Sequence, residues 1–361
     1  MNIHIFNPEH DIALAYNRPH LTVPHAAQEL RMNLGWIPAI WANDGDVVLV
    51  EDVPFAVKAA SRHKEIVNDV LFLGWDEVRG MDFESVQPWG WDKTLRTMLV
   101  EAGLNDGLLP STNELEIIRS LSSRWNTIDA TKALRLDDER QTCGMSLYVT
   151  DISQITKLLL DYGRIVVKAP WSSSGRGIRY IEGNDISQSV WGFIRNTIHL
   201  QGGIMVEPLY NKVLDFGMEF EVKVDGSVSY GGLSLFQTMN GTYTGSILAT
   251  EDEKMEMLGK YVDKELINSI KSKVCEYFSV WLRDRYVGPF GIDMMIVASH
   301  EGKGFLLHPC VEINLRRTMG HVALALSPKD GLIPKRIMQI IHDVNYKLKI
   351  SPYENNYVQT I

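Results

Sequence analysis

The segment Val311-Glu312-Ile313-Asn314-Leu315-Arg316 carries, every second residue, side chains that can hold a cation and an anion side by side. It reads as a β-strand, on which successive side chains point to opposite faces. Glu312, Asn314 and Arg316 then share one face, while Val311, Ile313 and Leu315 share the other. A carboxylate and an amide oxygen at this spacing form a hard-oxygen pair suited to Mg²⁺. The arginine can hold an anion next to that ion. The competing reading is a half-exposed strand with an ordinary polar side. Asp293 is a single carboxylate inside the apolar run Phe290–Val297, and a buried carboxylate needs a partner or a metal.

Two earlier segments offer complementary chemistry. Arg164-Ile-Val-Val-Lys168 reads as a strand ending in a cation, and Ser172-Ser173-Ser174-Gly175-Arg176-Gly177 follows as a small-residue loop. Hydroxyls and glycine N–H groups in such a loop can cradle phosphate oxygens, because no bulky side chain blocks approach. A mobile surface loop has the same composition, and no Walker A pattern occurs in the chain. Gly203–Leu209 is an apolar strand broken at Glu207-Pro208. Proline cannot continue the ladder, so backbone groups there become free to meet a nucleobase edge or simply to enter a loop.

The elements that must position these groups read as follows. Strands are expected at Ile3–Phe6, Val47–Val50 and Leu71–Leu73, with a helix at Pro24–Leu34, which suggests a small α/β domain over residues 1–110. Ser111 or Thr112 caps a helix over Asn113–Leu121. Ile152–Asp161 reads as helix, and Glu253–Arg285 as mostly helical. Asp225-Gly226 marks a tight hairpin between Glu219–Val224 and Ser227–Phe236. Phe290–Val297 and Gly304–Leu307 form a second hairpin, and Asp330–Leu348 reads as a closing helix.

At 361 residues, with about 150 per domain as a guide, two or three packed units are expected. The 45% hydrophobic and 22% charged content is that of a soluble globular chain. A net charge of −9 argues against binding nucleic acid through a broad positive field. Cys143, Cys275 and Cys310 are far apart and read as buried thiols in a reducing compartment. Residues 1–11 lack a signal-peptide pattern, and no apolar run has the length of a membrane span, so a cytoplasmic protein is expected.

The order of the pieces resembles the ATP-grasp superfamily, which includes D-alanine–D-alanine ligase, biotin carboxylase and glutathione synthetase. A cationic strand end with a Ser/Gly loop precedes a Val-Glu-Pro break, a Gly-Met-Glu-Phe strand, a strand aspartate and Glu-x-Asn. The resemblance covers about residues 110–345 and implies an α/β fold of the α+β grasp type: a small N-terminal α/β domain, then two α+β subdomains clasping ATP. Its boundaries would be 1–110, then 111–345 for the grasp and 346–361 for a tail. Within the grasp, 125–210 would be the ATP lid and 211–345 the metal-binding subdomain.

By that resemblance Lys168 would contact the phosphates, and Ser172, Ser173, Ser174, Gly175 and Gly177 would close over them. Glu207, with the backbone of Val206 to Leu209, would hold adenine. Glu219 would fall where the family places a ribose-binding acid. Asp293, Glu312 and Asn314 would carry one or two Mg²⁺ ions, with Mn²⁺ as a substitute. Arg316 would lie beside the transferring phosphoryl group. Arg124 best fits an earlier family cation, with Lys132 its rival, and Arg317 reads as structural. The implied reaction is ADP-forming ligation of a small-molecule or peptide carboxylate to an amine, and a homodimer is the base-rate assembly. A phosphotransferase without ligation and a silent nucleotide-binding module are the alternatives. Glu312→Gln and Lys168→Ala are each expected to stop ATP turnover and leave the fold intact.

The second substrate is not spelled out in the chain. Asn7-Pro8-Glu9-His10-Asp11 follows the first strand, where open α/β sheets gather ligands, so His10 and Asp11 are candidate substrate contacts; a helix-capping loop is the other reading. Pro88–Asp92, with Trp89 and Trp91, is either an aromatic platform or packing. Thr318–His321 follows the anion arginine, and His321 is a candidate proton acceptor by position.

Overall fold

Strands of three and four residues, each too short to hold an isolated sheet, assemble side by side into the first layer. The structure, a computed structural model, describes residues 1–136, 141–172, 176–183, 186–239, 242–299 and 304–354. Strands β1 (Asn2–Ile5), β2 (Val47–Leu49), β3 (Leu71–Leu73) and β4 (Ser85–Pro88) pair in parallel in the order β3-β2-β1-β4. Ile3, Ile5, Val47 and Leu49 are almost wholly buried, as parallel strands with both faces covered must be. The N-terminal α/β unit is therefore present, and β4 is the strand that sequence reading omitted.

The second sheet contains β5 (Leu147–Val149), β6 (Arg164–Lys168), β7 (Ile178–Glu182) and β8 (Ile204–Pro208), antiparallel in the order β5-β8-β6-β7. The helix Thr112–Leu121 leads towards it, and Ser111 forms a full capping box with Glu114.

The third sheet carries the chemistry. It contains β9 (Lys212–Val222), β10 (Val228–Met239), β11 (Thr242–Leu248), β12 (Gly288–Ala298), β13 (Phe305–Asn314), β14 (Arg336–His342) and β15 (Tyr346–Pro352). Its order is β13-β12-β9-β10-β11-β14-β15. Along β12, Phe290, Ile292, Met294 and Ile296 all turn to the core, where Phe290 stacks on Phe220 and Phe278 at 5.1 and 5.2 Å. Phe278 comes from the helix Lys264–Trp281, which lays Ile267, Ile270 and Val274 on the same face. Strict alternation leaves Asp293 on the opposite face.

One expectation fails outright. Asp330–Leu348 is not a closing helix; it holds the β14–β15 hairpin, and the expected tail 346–361 begins inside β15. The physical cause is visible in the residues. Ile337, Ile340 and Ile341 favour strand, and the Asp343 side chain accepts from the N–H groups of Val344 and Asn345 at 2.6 and 3.3 Å, turning the chain. Also, Gly304–Leu307 and the Glu-x-Asn strand are one strand, β13, with a bulge between His308 and Glu312.

Candidate active site

β12 and β13 pair Asp293 directly opposite Glu312, and Gly291 opposite Asn314. Directly opposed residues put their side chains on one face, so the expected metal-ligand set is brought together. The bulge next to this pair re-aims Glu312 relative to His308. Burial and then the negative charges of Glu312 and Glu219 push the Asp293 carboxyl well above the usual carboxylate range. That is the electrostatic condition a cation relieves. Among the described residues no group of three or more His, Cys, Asp or Glu side chains grips an ion unaided. Two carboxylates and the Asn314 amide instead suit Mg²⁺, which keeps waters and substrate phosphates in its shell.

Two arginines flank this set. Arg124, buried in the short turn before the helix Thr127–Leu134, donates to Glu312 Oε1 at 2.5 Å. It also donates to the Ala169 carbonyl and to Ser172 Oγ, both at 2.7 Å, and so ties the second sheet to the third. Lys132, its rival, is exposed beside Asp129. Arg316 donates to Asp11 in bidentate fashion, at 3.0 and 2.9 Å. Burial favours the neutral forms of this pair, but mutual attraction outweighs it, lowering the Asp11 pKa and raising that of Arg316. Asp11 thus reaches the site through Arg316, from the helix His10–Tyr16.

Lys168 and Glu207 meet across β6 and β8 at 2.6 Å, both buried, and Ser146 Oγ donates to the same carboxylate at 2.8 Å. Burial would raise the Glu207 pKa, but Lys168, His308 and these hydrogen bonds bring it below the usual value. Val206 lies in the ladder between β5 and β6, and the Leu209 N–H is taken by the Arg164 carbonyl at 3.0 Å. Gly177 is required at the loop base: a Cβ there would sit 2.1 Å from Ser172 Oγ. Ser173, Ser174 and Gly175 lie outside the described residues.

Glu219 is more enclosed than a ribose contact requires. Its two oxygens face Ser234 Oγ at 2.7 Å, Thr318 Oγ1 at 2.8 Å and His321 Nδ1 at 3.0 Å. A Cβ at Gly320 would lie 1.9 Å from Glu219 Oε1, so only glycine allows this approach. His321 completes the capping box of the helix Met319–Leu326, which places it in that network. His10 is likewise buried, bonded to Asp92 at 3.2 Å, and lines the small gap beside Arg124 and Glu312. Arg317 turns away: its N–H meets the Trp89 carbonyl and its guanidinium lies 5.0 Å from the Trp41 ring.

The structure adds a cavity of about 440 Å³ beside this set. Asp293, Glu312, Asn314 and Arg316 line it, together with Phe6, Ile12, Leu30, Trp89, Ile340 and Tyr346. Sequence reading did not identify that apolar wall, since its six residues come from six separate places in the chain.

No family model matches the chain, and no curated protein matches it. Solved structures do. Biotin carboxylase from Campylobacter jejuni, as a β,γ-ATP complex, superposes with a TM-score of 0.54 at 11% identity, covering 94% of this chain and 75% of that one. A protein of the ATP-grasp superfamily from Archaeoglobus fulgidus gives 0.50 at 13% identity, over 98% of this chain and 100% of that one. The chain has the ATP-grasp fold. Three sheets, among the described residues, follow the α/β unit and two grasping subdomains that the fold name implies. No helix among the described residues is long and apolar enough to cross a membrane.

Proposed function

We propose that this chain is an ATP- and Mg²⁺-dependent, ADP-forming ligase that joins a carboxylate to an amine or similar nucleophile. The observation that carries this reading is the face holding Asp293, Glu312 and Asn314, with Arg316 just past the end of β13, all lining a substrate-sized cavity. Asp293, Glu312 and Asn314 are the groups that would hold Mg²⁺, which when bound neutralises charge on the phosphates. Phosphoryl transfer needs positioning and positive charge more than covalent help from the protein. Arg124 and Arg316 supply that charge from two sides, and Asp11 fixes the second guanidinium.

In the reaction a substrate carboxylate oxygen attacks the γ-phosphorus, the bond to the β-phosphate oxygen breaks, and ADP leaves. The amine then attacks the acyl-phosphate carbonyl, inorganic phosphate departs, and the amine proton passes to solvent. The ATP phosphates would lie between Arg124 and Ser172 on one side and Glu312 on the other. Lys168 and Glu207 act as one buried pair in the adenine region.

The test is thermal unfolding of the wild type and of a Glu312→Gln, Asn314→Ala double variant, with and without Mg²⁺ and ATP. Ligand at a hundredfold its Kd adds about 2.7 kcal/mol. A Mg²⁺-dependent shift confined to the wild type supports the site, and no shift in the wild type overturns it. Trapping with hydroxylamine then separates ligation from simple phosphotransfer, which would leave a stable phosphorylated product without any amine.

A further inference from the structure

The 440 Å³ cavity is divided by chemistry. Apart from Arg176, its charged lining comes from Asp11, Glu219, Asp293, Glu312 and Arg316, which all belong to the constellation at β12 and β13. Ser234, Asn314 and Thr318 are the polar uncharged lining on the same side, with Tyr243 nearby, and the opposite wall is apolar. Phe6 and Trp89 follow β1 and β4, and their rings meet edge to face at 4.9 Å. Ile12 and Leu30 come from two N-terminal helices, while Ile340 and Tyr346 come from the β14–β15 hairpin. Ile12, Leu30, Ile340 and Tyr346 project from helices and strands, and Phe6 and Trp89 from the first residues past two strand ends, where their rings brace each other.

The charged end is already committed. Both Glu219 oxygens are engaged by Ser234, Thr318 and His321, and both Asp11 oxygens by Arg316. Asp293 and Glu312 are the proposed cation ligands. No carboxylate of the lining is left to receive a substrate ammonium group. A zwitterionic amino acid would bury its amine uncompensated, which is costly. An uncharged hydrocarbon or aryl body, by contrast, displaces water from the apolar wall favourably. At about 440 Å³ the cavity has the size of a small-molecule site.

We infer that the carboxylate substrate is an apolar monocarboxylic acid, an aryl or medium-chain acyl acid, with its carboxylate at Arg316 and its body between the N-terminal α/β unit and the β14–β15 hairpin. This rests on the ligase reading above. Affinity should then rise with each added methylene, roughly fourfold to tenfold in kcat/KM until the cavity is full.

Hydroxamate formation is measured with ATP, Mg²⁺ and hydroxylamine across acetate, hexanoate, octanoate, 3-phenylpropionate, succinate, alanine and glutamate. The expected result is a preference of at least about a hundredfold for hexanoate, octanoate or 3-phenylpropionate over acetate and glutamate. Ala27 lines the same wall from the helix His25–Leu34; Ala27→Leu, which narrows it, should move the optimum to shorter acids, and Leu30→Ala should move it to longer ones. Opposite shifts in two variants cannot arise from misfolding. A preference for succinate or for either amino acid overturns this inference and leaves the ligase reading standing. No hydroxamate from any acid, with Mg²⁺ and ATP still stabilising the wild type, overturns both.

Discussion

Arg124 Nη2 donates to Glu312 Oε1 at 2.5 Å, so a cation of the chain itself rests on the carboxylate that reads as a metal ligand. The gap enclosed by these two residues with Ser172 and Arg316 is only about 10 Å³, room for about one water. A triphosphate entering there must take the guanidinium from Glu312. The fork geometry that now serves a carboxylate and two chain oxygens is equally suited to phosphate. Arg124→Met is expected to raise the KM for ATP at least about tenfold, with Arg124→Lys between it and the wild type. Steady-state kinetics decides this, and an unchanged KM in Arg124→Met would remove Arg124 from the nucleotide site.

Asp293 carries the second prediction. Its folded-state pKa is raised, so its contribution to stability is fully present below the unfolded carboxylate value and is lost as pH rises through the folded one. At neutral pH the ionised form is therefore a burden that a cation relieves. Asp293→Asn should stabilise the ligand-free protein at pH 7. The same change should abolish any added stability from Mg²⁺ with ATP. Paired melting curves test both halves, and a destabilised ligand-free variant would show that Asp293 serves the fold.

Lys168 carries the third prediction. Lys168→Ala should lower stability, because Glu207 would remain as a buried carboxylate without its 2.6 Å partner. Removing one member of a buried pair costs about 3–5 kcal/mol. The Lys168→Met, Glu207→Gln double variant should recover most of that loss while nucleotide binding stays impaired. Urea unfolding of the single and double variants gives the comparison. A cost below about 1 kcal/mol for Lys168→Ala would show that water reaches Glu207.

What could be read from the sequence depended on the range of the determining interactions. Glu312 and Asn314 sit two residues apart on one strand, and a period of two needs no knowledge of the rest of the chain; Arg316, read as the third of the series, lies past the strand's end. Asp293 was legible for the same reason, as one charge in an apolar run. The enclosure of Glu219 by Gly320, Ser234 and Thr318 was not, because it joins residues up to 101 apart and depends on a glycine whose role appears only on contact. The β14–β15 hairpin was missed although Asp343 and Asn345 are turn formers; its mixed apolar pattern fits either period over so short a run. The apolar wall has no local pattern at all, since topology alone brings Phe6, Leu30 and Ile340 together.

His308 yields a prediction in the acid range. It is buried beside Glu207, and burial chiefly lowers its pKa to about 4, with Lys168 also opposing the charged form. The unfolded chain takes up this proton near pH 6.5, whereas the folded chain does so only near 4. Between those values the unfolded state binds more protons, so stability falls as pH drops through the window and rises as pH climbs back. At about 1.4 kcal/mol per pH unit, the full effect is on the order of 3 kcal/mol. His308→Gln removes the titration while keeping a polar side chain against Gly144 and Tyr210. The variant should lose less stability than the wild type between pH 6.5 and 4, by about that amount, and should behave like it above pH 7 apart from a constant offset. Parallel pH–stability curves over the acid window would show instead that His308 titrates freely and that the β13 bulge admits solvent.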